Sequence, residues 1–312
     1  MIIMVRGPQG KQKNAAALTA LLSAMTATIK SKKTLAIQIT SYNSEAIIDY
    51  LVGKQLKEEE INAGFKVWRD EGIDALLVRS ETAALTKEHY DNTVTPITEK
   101  ENLFDVLKPT KNKEFFAFLN HESILNILDG AKSVYDYVFV LVAEMPELID
   151  LVKQKADETI IVIPQAPKID IVDPQEKALY VINDYEKNSI YTVKDIMKEY
   201  GIRKAYVLPH NYQYRDALIQ KTLFDFVRKN KKDIKSDVNY EFTASISKML
   251  SAFISGMSAD DEEDIEETVP KVKPKEEHLI PDYVDDIPDD AVQEIIVKKG
   301  LFFKKKKLTV DL

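Results

Sequence analysis

Apolar residues along the first 258 residues alternate between short continuous runs and longer stretches with helical spacing. The short runs, rich in β-branched and aromatic residues, predict buried strands at Ile2–Val5, Leu35–Ile39, Leu103–Leu107, Val134–Val142, Glu158–Ile163 and Ala205–Leu208. The longer stretches predict helices at Asn14–Ile29, Glu45–Leu51, Glu58–Asp70, Asp74–Ala84, Glu147–Lys155, Pro174–Tyr185, Thr192–Tyr200, Tyr214–Asn230 and Tyr240–Ile254. Because strands and helices alternate, we expect residues 1–258 to form one α/β domain, a doubly wound, mostly parallel sheet with helices on both faces.

Residues 56–120 follow this alternation least closely. The pattern there predicts two helices, a loop that holds Thr93–Pro96, and then a short strand. We interpret the segment as a helical insertion between the second strand and the central strand. Partner binding and ordinary packing are equally compatible with such a helical pair.

The pattern changes after the last predicted helix. Residues 259–290 hold 14 Asp and Glu, three Lys and four Pro, a composition that predicts a disordered acidic linker. Residues 291–312 hold six Lys and two acidic residues, and they combine apolar with basic side chains at Leu301, Phe302, Phe303, Lys304, Lys305, Lys306 and Lys307. Three readings stay open for this short segment: docking to a protein partner, weak contact with a membrane, or a tail that is idle or paired within the chain.

Composition excludes several kinds of chemistry. The chain has 312 residues, no Cys and four widely separated His, which excludes disulfides and thiolate nucleophiles and disfavours a His-built zinc site. The first residues lack the apolar core of a signal peptide and no apolar run is long enough to span a membrane, so we expect a cytoplasmic protein. The net charge of −8 belongs to the linker, because residues 1–258 carry only −1. A near-neutral body without aromatic residues among its basic ones argues against DNA binding.

A strand, a glycine-containing turn and a helix at the N-terminus form the outline of a phosphate-binding P-loop, G-x-x-x-x-G-K-[ST]. Gly7 and Lys13 stand in register, but Gln12 replaces the second glycine and Asn14 replaces the hydroxyl that ligates Mg²⁺. We therefore consider Gly7, Gly10, Lys13 and Asn14 as candidates for binding a nucleotide without metal. A solvated charge on the turn is the alternative reading of Lys13.

Together with this turn, the run Tyr135–Val140 and the segment Ala156–Pro164 resemble the ParA/MinD family of deviant-Walker ATPases. The resemblance covers most of residues 1–258. In that family Asp residues follow the second strand and end the Walker B strand, whereas the matching positions here are Gln38, Thr40 and Leu141, and Pro8 stands where the family has its signature lysine. The resemblance thus implies a P-loop NTPase-like fold with a degenerate ATPase site.

The family also supplies expectations about other positions. Its loop after the last strand helps to form the pocket for the nucleotide base, which implies Pro209 and Asn211 as further binding residues. His210 between them has two readings, a ligand-binding residue at the carboxyl edge of the sheet or an ordinary surface-loop histidine, and we favour the second slightly. MinD-like proteins carry a C-terminal amphipathic helix for membrane docking, a position that corresponds to the basic segment here.

The substitutions are most similar to TadZ/CpaE-type members, which position pilus or secretion machinery at the cell pole. The resemblance implies a non-hydrolysing scaffold or localisation protein for a membrane-associated pilus, secretion or conjugation apparatus. Such a protein binds protein partners and lies in the cytoplasm or at the inner face of the membrane. Family members form face-to-face dimers around nucleotide, and with this site altered two alternatives stay open, a constitutive homodimer or no dimer. Binding of ATP or another nucleotide without hydrolysis and no nucleotide binding at all are likewise both open. The alternative is a plasmid or chromosome partition ATPase-like protein that binds DNA and nucleotide.

Overall fold

The computed structural model describes residues 1–7, 12–40, 47–52, 72–97, 103–110, 120–142, 145–167, 177–231 and 237–254. All of them belong to one compact unit, Met1–Glu262. The predicted helix Glu58–Asp70, the acidic linker 259–290 and the basic segment 291–312 lie outside the described residues.

Within these residues the strands form a single eight-stranded sheet. The strands are β1 (Ile2–Arg6), β2 (Thr34–Ile39), β3 (Thr95–Pro96), β4 (Phe104–Leu107), β5 (Tyr137–Val142), β6 (Glu158–Pro164), β7 (Leu179–Tyr185) and β8 (Ala205–Pro209). Their order across the sheet is β3-β4-β2-β5-β1-β6-β7-β8, and every neighbouring pair is parallel except β3 and β4. The expected mostly parallel sheet is confirmed.

Helices cover both faces of this sheet. The described helices are α1 (Gln12–Lys30), α2 (Ile47–Val52), α3 (Ile73–Ser80), α4 (Lys87–Asp91), α5 (His121–Val134), α6 (Pro146–Lys153), α7 (Val193–Tyr200), α8 (Tyr212–Gln220), α9 (Leu223–Lys229) and α10 (Tyr240–Ile254). One core joins α1, α2, α8, α9 and α10 to the sheet, and two further cores on the other face hold α3, α5, α6 and α7. Alternate residues of β1 separate accordingly: Ile3 and Val5 belong to the first core, and Ile2 and Met4 to the second. The doubly wound arrangement is confirmed.

The prediction of a helix over Pro174–Tyr185 is wrong, because residues 179–185 form β7 between β6 and β8. Val181 packs into one core while Tyr180 and Ile182 pack into the opposite one, the two-faced burial of an inner parallel strand. Burial on both faces produces a continuous apolar run that periodicity does not distinguish from a buried helix.

The single helix predicted over Tyr214–Asn230 is two helices, α8 and α9. Lys221 between them adopts a left-handed conformation with φ of 60°, and the Thr222 N–H donates a hydrogen bond to the Ala217 carbonyl 2.9 Å away. This is the usual end of a helix, here formed without glycine.

Four smaller points concern the middle of the chain. The segment predicted as a loop at Thr93–Pro96 contains β3, and α5 has no counterpart among the predicted helices. Val134 ends α5 and does not begin β5. Within residues 56–120, β4 joins the main sheet in parallel beside β2.

Candidate functional site

Parallel strands bring their carboxyl ends to one edge of the sheet, which is where α/β folds bind ligands. The predicted nucleotide-binding residues lie at or after the ends of β1 and β8, and Gln38 and Leu141 lie near the ends of β2 and β5, so the topology brings these positions to this edge. β1 lies between β5 and β6 at the centre of the sheet.

The turn after β1 leads into α1. Gly7 is buried directly after β1, Lys13 is exposed in the first turn of α1, and Asn14 is half-buried. The first turn of α1 contains no acidic residue. The charge of Lys13 and the positive end of the helix dipole therefore both favour an anion at this position. Gly10 lies outside the described residues.

Gln38 occupies the end of β2, where the resemblance expects a carboxylate. Its side chain is fully buried; the amide nitrogen donates a hydrogen bond to Thr40 Oγ1 at 2.7 Å, and the amide oxygen accepts one from the Ile47 N–H, also at 2.7 Å. Ile47 is the first residue of α2. The amide thus orients the start of a helix, and an uncharged hydrogen-bonded pair occupies the two positions at which the resemblance implies carboxylates.

Leu141 occupies the matching position on β5, in register with both Val5 of β1 and Gln38 of β2. Its side chain is 1% exposed and packs in the core with Ala36 and Phe139. A leucine side chain has no atom that can ligate Mg²⁺ or accept a proton. In the part of the chain that the structure describes, no three acidic or histidine side chains come together where they could hold a metal ion.

Asn211 follows β8 and begins α8. Its side-chain oxygen accepts a hydrogen bond from the Tyr214 N–H at 2.8 Å, which caps the helix, and its side-chain nitrogen donates to Asn239 Oδ1 at 2.9 Å. Asn239 is 3% exposed and donates in turn to Gln213 Oε1 and Asn230 Oδ1. This buried polar network connects the starts of α8 and α10 with the end of α9. Both ends of the Asn211 amide therefore have structural partners, while Pro209 is a half-buried residue that pairs with Tyr185.

His210 is largely buried, with 12% of its side chain exposed, and its Nδ1 lies 2.6 Å from Asp184 Oδ1. Asp184 lies at an irregularity of β7 and has a positive φ of 58°. The edge of the Tyr212 ring packs against the imidazole, with 4.5 Å between ring centroids. The sequence reading as a surface-loop histidine did not include this pairing with β7.

Asn183 is a polar residue at this edge that the sequence analysis did not consider. It is 8% exposed, lies in register with Pro164 of β6, and its Oδ1 accepts no hydrogen bond from any described residue. A polar residue directly after the apolar run Leu179–Ile182 indicates a position at the carboxyl edge of the sheet. That inference is possible only when the run is predicted to be a strand.

The predicted docking residues Leu301–Lys307 lie outside the described residues. Among the helices that are described, none combines the length and the apolar character needed to cross a membrane.

The sheet order and its helical layers match the fold of solved ParA and MinD ATPases. No protein-family model matches the chain, and no curated protein matches it. Several solved structures are similar to the chain. A ParA family ATPase from Chlorobium tepidum is 15% identical, with a TM-score of 0.60 over 80% of this chain and 98% of that chain.

Two further structures resemble the chain in the same way. A plasmid partition protein from Borrelia burgdorferi, bound to AMPPNP, is 15% identical with a TM-score of 0.54 over 82% of this chain and 99% of that one. The cell division ATPase MinD from Pyrococcus furiosus is 13% identical with a TM-score of 0.53 over 81% and 98%. At these identities the likeness concerns the fold alone.

Proposed function

We propose that this chain is a non-hydrolysing ParA/MinD-fold protein that scaffolds or positions a membrane-associated pilus, secretion or conjugation apparatus. The observation that carries the proposal is the buried Gln38 amide, which is bonded to Thr40 and to the first residue of α2 where a catalytic carboxylate is expected.

The chemistry of phosphoryl transfer supports this reading. Such enzymes act by positioning the phosphates and stabilising charge, for which they need Mg²⁺ and groups that hold it. The described residues at the ends of β2 and β5 do not fit that ion, since none of Gln38, Thr40 and Leu141 carries a carboxylate. Gln38 and Thr40 are hydrogen-bonded to each other, and the Leu141 side chain is packed in the core. We therefore derive no hydrolytic step.

Nucleotide binding without hydrolysis is a separate part of the proposal. Gly7, Lys13 and Asn14 lie at the start of α1, where backbone N–H groups and a cation favour phosphate. A nucleotide bound in this way holds one conformation of the protein, and protein partners recognise that conformation.

A phosphate-release assay with ATP and Mg²⁺ tests the non-hydrolysing role. We expect the full chain and its Lys13→Ala variant to release phosphate at the same background rate. Release that depends on Lys13 would contradict the proposal. Calorimetric titration of the full chain with ATP, with and without Mg²⁺, then measures binding, which the proposal expects to be independent of the metal.

A plasmid or chromosome partition role is the second candidate, because the chain shares its fold with a plasmid partition protein. That role requires ATP-dependent binding to nonspecific DNA. A gel shift with nonspecific DNA separates the two candidates: a shift that appears only with ATP favours partition, and no shift in either condition favours the scaffold.

A further inference from the structure

Helix α8 presents an exposed apolar pair on its outer surface. Tyr212 and Ile219 are 75% and 72% exposed, although both are large hydrophobic residues. They stand seven positions apart, so they lie two turns apart on the same side of the helix. Val238, 76% exposed, lies close by, because its neighbour Asn239 donates a hydrogen bond to Gln213 of the same helix.

Two opposite charges lie between Tyr212 and Ile219, and the four residues together form a stripe along the outer face of α8. Arg215 and Asp216 are exposed and lie on the same side of α8 as Tyr212 and Ile219. The stripe therefore reads apolar, basic, acidic, apolar from its first turn to its last.

This order is self-complementary. When two copies of α8 pack antiparallel about a two-fold axis between positions 215 and 216, Tyr212 faces Ile219 of the other copy. In the same arrangement Arg215 faces Asp216 of the other copy, and each contact occurs twice. A two-fold contact between identical surfaces requires this kind of match, in which one residue meets a second and the second meets the first.

We propose that the outer face of α8 is a homodimer interface, occupied by α8 of a second copy of this chain. The proposal goes beyond the proposed function and does not depend on nucleotide. Apolar contact supplies the attraction, while the paired charges fix the antiparallel direction and disfavour a parallel one.

The side chains of this face are partly organised before association. The Tyr212 ring packs edge-on against His210, which is itself paired with Asp184. The helix is fixed at its start by the Asn211 cap and by the Asn239 network. A surface held in one conformation loses less conformational entropy on association than a mobile one.

The size of the helix limits the strength of the contact. Nine residues give α8 a length of about 14 Å. Two such helices and the neighbouring Val238 residues bury less than the roughly 1,600 Å² of a standard stable interface. We therefore expect a weak dimer that forms and dissociates with concentration.

Sedimentation velocity of the full chain without nucleotide, over a concentration series, measures this dimer. We expect reversible association that a double Tyr212→Ser and Ile219→Ser change weakens by at least tenfold. The matched control is Val78→Ser, a change at a 68% exposed residue of α3, which leaves the association as it was. Circular dichroism of each variant reports whether the fold is retained.

A charge exchange tests the geometry itself. Arg215→Asp brings two acidic side chains together across the axis and weakens association. Adding Asp216→Arg to that variant restores it, since the opposite charges again meet in reversed order. A chain that stays monomeric to about 1 mM, or a double exchange that associates as weakly as the single one, would overturn the proposal.

Discussion

Gln38 determines how α2 begins, and its loss has a predictable cost. Gln38→Leu keeps the volume of the buried side chain but leaves the Ile47 N–H and Thr40 Oγ1 without their partner. We expect the free energy of unfolding to fall by about 1–3 kcal/mol, the cost of leaving buried polar groups unsatisfied. Urea denaturation measures it, with Gln154→Leu at an exposed position as the control. Equal losses in both variants would mean that the buried amide has no special role.

A buried carboxyl group gives a second prediction for a single residue. Asp105 of β4 is 6% exposed and accepts a hydrogen bond from the Tyr135 hydroxyl at 2.8 Å. Burial, the largest influence, raises the pKa of Asp105 above its ordinary value, although the Tyr135 hydrogen bond and the charge of Lys33 act in the opposite direction. Its ionised form therefore destabilises the folded protein.

The sign of the pH dependence follows from that shift. The contribution of Asp105 to the free energy of unfolding declines as pH rises from the ordinary carboxyl pKa of about 3.9 through the raised folded value. Asp105→Asn keeps an acceptor for Tyr135 and removes this decline. We expect the variant to gain stability over the parent as pH rises from 4 to 7, in denaturation curves with the exposed Asp129→Asn as control. A difference between variant and parent that is the same at every pH would contradict this.

The elements show which parts of the fold the sequence predicts and which it does not. Tyr240–Ile254 was predicted with the bounds that the structure has, and β1, β2 and β6 within one residue, because their apolar patterns are continuous and their ends are marked. β7 is missed although β1, β2 and β6 are buried on both faces as well, because its apolar run Leu179–Ile182 is short and follows Pro174 and Glu176, which are typical of the start of a helix. The break between α8 and α9 is not predicted, because Lys221 adopts the left-handed conformation there and no glycine marks the end of the helix.

The same limit applies to the site. Which residues stand at the positions of the family's carboxylates is a prediction from the resemblance, since the motifs consist of consecutive positions in the sequence. The partners of His210 and Asn211 are 26 and 28 residues away along the chain, and such pairings depend on the folded topology.

The start of α3 gives a prediction at the scale of an element. Gly72 precedes the helix with φ of 77° and ψ of −164°, a conformation that is almost restricted to glycine, and an added Cβ would lie 2.9 Å from the Lys108 carbonyl oxygen. We expect Gly72→Ala to lower the free energy of unfolding by about 1–3 kcal/mol. Gly201, which ends α7 in the ordinary left-handed region, should accept Asn for less than about 1 kcal/mol. Thermal unfolding of both variants provides the comparison, and a larger loss at Gly201 would refute the argument.

At the scale of the whole molecule, the sequence predicts separate roles for the folded unit and the basic C-terminal segment. The core residues that the structure describes run from Ile2 to Ala252. Deleting 291–312 should therefore leave the thermal unfolding of the protein unchanged while it alters partner pull-down or the localisation of a fluorescent fusion. Replacing each of Lys304–Lys307 by Ala is more conservative than the deletion, because it removes the charges and keeps the length of the segment. Unchanged localisation and unchanged pull-down in both variants would remove the docking role.

The central position of β1 has a consequence for how the chain folds during synthesis. Both neighbours of β1, the strands β5 and β6, lie more than 130 residues further along the chain. At 5–20 residues per second the ribosome needs roughly 7–30 s to produce them. For that time the nascent strand Ile2–Val5 has no native partner in the sheet. Its side chains are all apolar, and its backbone N–H and C=O groups have no strand partner. Because long-range parallel pairs close slowly and exposed apolar strands favour aggregation, we expect the yield of folded protein to depend on how this interval is passed.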